Sequence, residues 1–200
     1  PFLNWLGTVY HGLPADLYSP NYRGGDYLAF LGRMSPEKRP DLAIEIARKA
    51  GIPLKMAAKV DDANKDYFET VIKPMLNSPS VEFIGEIGER EKNEFLGNAL
   101  ALLFPIDWPE PFGLVMIEAM ACATPVIARR CGSVPEVMKE GVSGYTFYEM
   151  EDAIKAVEKV HNIERSGVRK YFEERFTSER MATEYIKLYQ MQLESLQKVA

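Results

Sequence analysis

The chain has 200 residues, 46% of them hydrophobic and 26% charged, which suits one full-sized or two small globular domains with a packed core. A net charge of −5 argues against a protein that tracks nucleic-acid phosphates over a basic face, and no apolar run approaches the length that spans a bilayer. Cys122 and Cys131, the two cysteines, suit reduced thiols in a cytosolic protein better than a disulfide framework, and His11 and His161 add little to a metal set.

The opening Pro1-Phe2-Leu3-Asn4-Trp5 carries no charged leader, so the chain is expected to be cut from a longer one. From Tyr27 onward, short apolar runs alternate with amphipathic stretches, the pattern of repeated βα units on a parallel sheet. Strands are expected at 27–31, 54–58, 81–84, 101–104, 125–128 and 145–147, and helices at 40–50, 66–75, 89–97, 112–123 and 134–139. Pro40 at a helix start, Gly51 just past its end, and Gly85 and Gly132 in turns obey the usual punctuation. Beyond Gly144, residues 151–161, 167–176 and 178–200 read as charged helices with a solvated face. The apolar set Met181, Tyr185, Leu188 and Leu193 is suited to packing against a neighbour.

Ligands of open α/β sheets bind beyond the carboxyl ends of strands, where loops meet helix N-termini. The first such end, Gly32-Arg33-Met34-Ser35-Pro36-Glu37-Lys38, sets a guanidinium fork and a point charge in one loop, as a diphosphate requires. Taken alone, that loop reads better as ordinary surface with a Glu37 salt bridge. At the third, Ile87 between Gly85-Glu86 and Gly88 is either a flat wall against a nucleobase or a plug under the next helix.

The fourth strand leads into Asp107-Trp108-Pro109-Glu110-Pro111-Phe112-Gly113, then a helix in which Glu118 stands among apolar neighbours from Leu114 to Ala123. A helix apolar all round is a buried one, so the Glu118 carboxylate has to be answered by something polar. A ribose lying one turn below Leu114 and Val115 is favoured over a neighbouring backbone group or Arg. At the helix mouth, Glu110 is placed to accept from sugar hydroxyls, and the amides of Phe112, Gly113, Leu114 and Val115 to face an anion. Asp61-Asp62 reads as cap or solvent-facing rather than as a metal pair. No G-x-G-x-x-G follows the first strand, which counts against an NAD enzyme, and Gly24-Gly25 is a loop.

Glu110 and Glu118, seven residues apart within Pro-Glu-Pro-Phe-Gly-Leu-Val-Met-Ile-Glu-Ala-Met-Ala-Cys, resemble the E-x7-E motif of the retaining GT-B glycosyltransferases of the family 4 type. The resemblance extends through Thr124-Pro125-Val126-Ile127-Ala128, Gly132-Ser133-Val134-Pro135-Glu136-Val137 and Gly141-Val142-Ser143-Gly144-Tyr145, dense over residues 27 to 150. It implies the C-terminal, Rossmann-like domain of a GT-B fold: a parallel sheet flanked by helices, with extra C-terminal helices. Residues 1–26 would lead out of an N-terminal domain, 27–177 would bind the nucleotide sugar, and 178–200 would return to the N-terminal domain that carries the acceptor site.

The resemblance further implies transfer of a hexose from a UDP-, GDP- or ADP-sugar to an acceptor hydroxyl, without metal or cofactor, in the cytoplasm, with any membrane association supplied by the other domain. Arg33, Lys38 and Glu110 would act on the reacting centre, and Gly32, Ile87, Pro111, Phe112, Gly113, Leu114, Val115 and Glu118 would hold the donor. The isolated fragment is then expected to bind donor without turnover. A non-catalytic nucleotide-sugar module and a sugar-nucleotide epimerase on the same architecture are the alternatives. Departures from the family pattern are small: Ala123 stands where Gly is commoner, Ser133 replaces the second of two glycines, His11 stands where Asn is commoner, and Arg129-Arg130 has no assigned role.

Overall fold

The computed structural model describes residues 5–197, so the segments 1–4 and 198–200 of the expected leading stretch and last helix lie outside the described residues. The strands are β1 (Tyr27–Arg33), β2 (Leu54–Lys59), β3 (Val81–Gly85), β4 (Ala99–Phe104), β5 (Val126–Arg129) and β6 (Gly144–Phe147). They form one sheet in the order β3-β2-β1-β4-β5-β6, with every pairing parallel. The chain runs outward from β1 through β2 to β3, then returns to lay β4 on the other side of β1. The β1/β4 seam is therefore the topological switch point, and a crevice opens beyond the carboxyl ends of those two strands. Helices cover the sheet, as strands buried on both faces require.

These helices are α1 (Pro40–Ala50), α2 (Lys65–Tyr67), α3 (Lys73–Met75), α4 (Glu89–Gly97), α5 (Leu114–Ala121), α6 (Val134–Val137), α7 (Met150–Lys159), α8 (Arg165–Arg175) and α9 (Ser178–Gln197). The expected single helix over 66–75 is instead α2 and α3 joined by a π-helical turn, Phe68–Ile72. Pro74 has no N–H to give and its ring crowds the preceding turn, so the ladder widens ahead of it.

The expected helix 112–123 is also shorter. Gly113 at φ 80 caps its start, so Phe112 lies outside it. Its end is a Schellman turn in which Thr124 N–H donates to Ala119 O at 2.8 Å and Ala123 N–H to Met120 O at 2.9 Å. Ala123 takes the left-handed position at φ 64, which explains why Gly is the commoner residue there. The helix expected at 134–139 stops at Val137, and that expected at 151–161 gives way after Lys159 to a 3₁₀ turn, Val160–Asn162.

Residues ahead of β1 are bound to the body. Leu13 bridges Thr177 through paired backbone hydrogen bonds, and the Tyr18 ring is buried. Arg169 of α8, itself buried, donates to the carbonyls of Ala15, Tyr18 and Ala121, tying this segment to the end of α5. Arg169→Met keeps the stem and strands three carbonyls, so it should lower stability by about 2 kcal/mol in a urea titration. An unchanged midpoint would show that water satisfies those carbonyls. Along α9, Tyr185 and Leu193 are exposed while Met181 and Leu188 are half-buried. Among the described residues, no helix is long and apolar enough to cross a membrane.

Candidate functional site

Two adjoining cavities, of about 260 and 200 Å³, lie beyond the carboxyl ends of β1, β2 and β4 and share Leu31, Gly32 and Val115 in their walls. They form one trough. Arg33, Lys38, Phe104, Glu110, Gly113 and Leu114 line its outer half, while Ala57, Ala58, Lys59, Glu86, Ile87, Lys92 and Glu118 line the inner half. The trough thus gathers most of the candidate residues, which come from the ends of β1, β3 and β4, at the switch point.

In the outer half, a 3₁₀ turn at Pro36–Lys38, closed by Arg39 in the left-handed region, aims Lys38 inward. Its ammonium donates to Glu110 Oε2 and lies over the rings of Phe104 and Trp108, 5.8 and 5.4 Å from their centroids. Trp108 Nε1–H donates to the same carboxylate oxygen at 2.8 Å. Lys38 and Glu110 are both largely buried, so their charges depend on each other and on these donors. Arg33 is half exposed at the mouth, 3.6 Å from Glu37 and 3.9 Å from Asp61. The Glu37 salt bridge of the plain surface reading is present, but the loop opens onto the trough all the same.

At the head of α5, Leu114 and Val115 present first-turn amides, which have no acceptor within the helix. Gly113 sits close under them: a Cβ there would lie 2.7 Å from Met116 Cε and 3.2 Å from the Phe104 ring. Phe112 was expected to offer its amide, and its ring lies elsewhere. Its side chain is buried among His11, Phe176 and Tyr10, with centroids 4.9, 6.1 and 6.3 Å away, and turns from the trough because the left-handed Gly113 separates it from the helix. Pro111 borders a different hollow, with Tyr10, His11, Ser133 and Glu136.

In the inner half, the answer to Glu118 is Lys92 of α4, whose Nζ lies 2.9 Å from Glu118 Oε1. The protein itself thus supplies one partner, a Lys rather than the backbone group or Arg that was set against a ribose. Lys92 also reaches Glu89 Oε2 at 3.3 Å, and the Tyr18 hydroxyl donates to Glu89 Oε1 while standing 3.4 Å from Glu118. Burial pulls the Lys92 ammonium down, but the hydrogen bond and charge of Glu118, then those of Glu89, outweigh it and leave its pKa raised. Burial, then the Glu89 hydrogen bond, pushes the Tyr18 phenol well above its ordinary range, and the Tyr18 hydroxyl in turn holds Glu89 low. One turn along α5, burial and then the Glu118 carboxylate push the Cys122 thiol up to about 12, so it is inert.

Lys92, Tyr18 and Glu89 are the site residues that sequence reasoning missed. The one signal for Lys92 was the demand that Glu118 be answered. Ile87 lines the inner half, and the side chain of Arg129 supports the β4 loop with Nη1 2.6 Å from Asp107 Oδ1. Arg130 has an exposed side chain. Asp61 precedes a 3₁₀ turn at Asp62–Asn64 and lies 3.2 Å from Lys59. Among the described residues, no three His, Cys, Asp or Glu side chains gather as a metal set would.

The arrangement suits a polyanion carrying two polyols. Positive potential collects where Arg33, Lys38 and the α5 amides converge, and one carboxylate stands on either side to accept from hydroxyls. Each of those carboxylates brings its own lysine, so neither presents a bare negative charge to an arriving anion.

Comparison with known proteins agrees with this architecture. The chain is 29% identical over 154 residues to the D-inositol 3-phosphate glycosyltransferase of Mycolicibacterium smegmatis, covering 70% of this chain and 35% of that one. Among solved structures, a glycosyltransferase involved in avilamycin A biosynthesis superposes with a TM-score of 0.81 at 23% identity, over 94% of this chain and 58% of that one. Anabaena HepE in complex with UDP gives 0.76 at 20% identity, over 96% and 57%. The fold is that of GT-B glycosyltransferases, and the chain spans less than half the length of the curated relatives it matches. The family model for glycosyl transferases group 1 matches residues 19–179, and the chain belongs to that family.

Proposed function

We propose that this chain is the donor-binding part of a retaining glycosyltransferase of the family 4 type, which moves a hexose from a nucleoside diphosphate sugar to an acceptor hydroxyl. One observation carries the reading: a single trough at the switch point holds Arg33, Lys38, a helix N-terminus and two lysine-paired carboxylates in an order that matches ribose, diphosphate and sugar. In this reading the nucleoside lies in the inner half, its base against Ile87 and its ribose on Glu118. The diphosphate crosses Gly32, where no side chain obstructs it, toward Arg33, Lys38 and the amides of Leu114 and Val115. Glu110 then orients the transferred sugar at the outer end.

The chemical demand is charge. As the bond from the anomeric carbon to the diphosphate oxygen breaks, negative charge grows on the leaving group, and preorganised donors are worth most where charge develops. Lys38 is held in place by Glu110 and two aromatic rings, so little reorganisation is needed at that moment. Residues 27–177 would bind the donor, with 178–200 returning to an N-terminal domain that brings the acceptor and completes the catalytic cleft. UDP is the first donor base to test, since Anabaena HepE binds it on the same fold.

Calorimetric titration of the chain with UDP, GDP and ADP, then with their glucose and mannose conjugates, tests the reading. Saturable binding to one base is expected, weakened about tenfold or more by Arg33→Ala and by Glu118→Ala, each of which removes a hydrogen bond to a charged group. In the complete enzyme Glu110→Gln should impair transfer; unchanged transfer would mean that Glu110 does not orient the sugar. Absence of binding to all three diphosphates would remove the donor-site reading.

A further inference from the structure

We infer that Lys92 is a positioning residue for the donor's ribose, acting as the last link of a brace from Tyr18 through Glu89 that holds one oxygen of Glu118 so that the other is presented to the ligand. The inference rests on the donor-site reading above and assigns roles to three residues outside the E-x7-E motif. Lys92 Nζ lies 2.9 Å from Glu118 Oε1 and 3.3 Å from Glu89 Oε2, and Glu118 Oε2 has no donor among the described residues. Tyr18 stands near both carboxylates but has one proton to give, and that proton goes to Glu89, the much closer partner. The order is therefore Tyr18 to Glu89, Glu89 to Lys92, and Lys92 to Glu118.

Three elements converge on this brace: the segment ahead of β1, α4 and α5. Three of the four links are shielded, while Glu89, the second, has a side chain 53% exposed. Tyr18 is 2% exposed, and the side chains of Lys92 and Glu118 are 22% and 13% exposed. The packing around Glu118 in α5 is apolar, with Ile117, Ala119 and Ala121 wholly or almost wholly buried, so nothing on its own helix fixes the carboxylate's rotation. Lys92 supplies that fix from outside the helix. It also lines the cavity beside Glu118, where its charge lets the carboxylate sit near an anionic diphosphate. A carboxylate with one oxygen held is a directional acceptor, which is what selection of a ribose hydroxyl requires.

The test compares UDP, GDP and ADP with their 2′-deoxy and 3′-deoxy counterparts by calorimetry, on the wild-type chain, Lys92→Met, Lys92→Arg, Tyr18→Phe and Glu118→Gln. The wild type should prefer the ribose form of its nucleotide by about tenfold or more over the deoxy form lacking the hydroxyl that Glu118 accepts. Lys92→Met should lose most of that preference, Tyr18→Phe part of it, and Lys92→Arg little. In the Glu118→Gln background, Lys92→Met should change the preference no further. A Lys92→Met protein that weakens ribose and deoxyribose forms by the same factor, or that keeps the wild-type preference, overturns the brace while leaving the donor site standing. A wild type that binds nucleotide without preferring ribose removes the Glu118 reading and the brace with it. Should Lys92→Met fail to fold, Tyr18→Phe deletes a single oxygen and decides by the same ratio.

Discussion

If the chain is the donor-binding part of a glycosyltransferase as proposed, Lys38→Ala should lower turnover of the complete enzyme by about 10²–10³-fold, the range found when one preorganised donor to a developing negative charge is removed. The loss should fall mainly on kcat, with a smaller change in donor KM, because the growing charge on the leaving diphosphate calls on the ammonium more strongly than the ground state does. Lys38 has a second role that the substitution also removes. It neutralises Glu110, whose side chain is only 12% exposed, and an unpaired carboxylate there would repel the diphosphate. Comparing Lys38→Ala in the wild-type and Glu110→Gln backgrounds separates the two: if repulsion dominates, Lys38→Ala costs little more once Glu110 is Gln, and if charge stabilisation dominates, it costs as much as it does in the wild type. Lys38→Arg should recover only part, since a planar guanidinium does not fit the space between the Phe104 and Trp108 rings as a compact ammonium does. Steady-state kinetics checks all three, and wild-type turnover in Lys38→Ala would end the assignment.

The parallel sheet and most of its helices were legible because alternation of apolar runs with amphipathic stretches is a local signal. Element ends were less so, for reasons that can be named. Pro74 lies inside a good helical pattern, and the response to it is a π turn rather than a break. Gly113 and Ala123 both take left-handed backbone, one starting α5 two residues late and the other ending it two residues early. In the site, the motif pointed to Glu110, Glu118 and the cations beside β1, which the structure brings to one trough.

The partner of Glu118 was illegible. Lys92 sits on a helix whose sequence looks like any solvated one, and only the tertiary approach of α4 to α5 directs it inward. The place of the Phe112 ring was equally illegible: the sequence spoke only for its amide, while its ring serves the junction between the leading segment and the end of α8. Arg129 shows the same limit, since its partner Asp107 arrives from the loop after a neighbouring strand.

Gly132→Ala should abolish donor binding and cost about 2–5 kcal/mol of stability, the sum of about 1–2 for left-handed backbone and about 1–3 for overpacking. Gly132 has φ 56, and a Cβ built on it would stand 2.4 Å from Glu110 N and 2.5 Å from Glu110 O. Both neighbours are backbone atoms, so no side chain can swing aside. The turn cannot simply move off either. Ser133 N–H donates to Glu110 O at 2.9 Å, Ser133 Oγ–H to Phe112 O at 2.8 Å, and the Cys131 thiol to Trp108 O at 3.0 Å. These bonds fasten the turn after β5 to the loop that carries Glu110, so a displacement of a few tenths of an ångström at residue 132 passes directly to the carboxylate and its lysine. Gly51→Ala is the control, because φ there is 70 and no heavy atom lies within 4 Å of the added carbon. It should cost the backbone term alone, about 1–2 kcal/mol, and leave binding intact. Urea denaturation and nucleotide-sugar titration on the two variants separate close approach from strain. If Gly132→Ala binds the nucleotide sugar as well as Gly51→Ala does, the Glu110 loop is not held by this contact, and its position must be set by Lys38 and Trp108 instead.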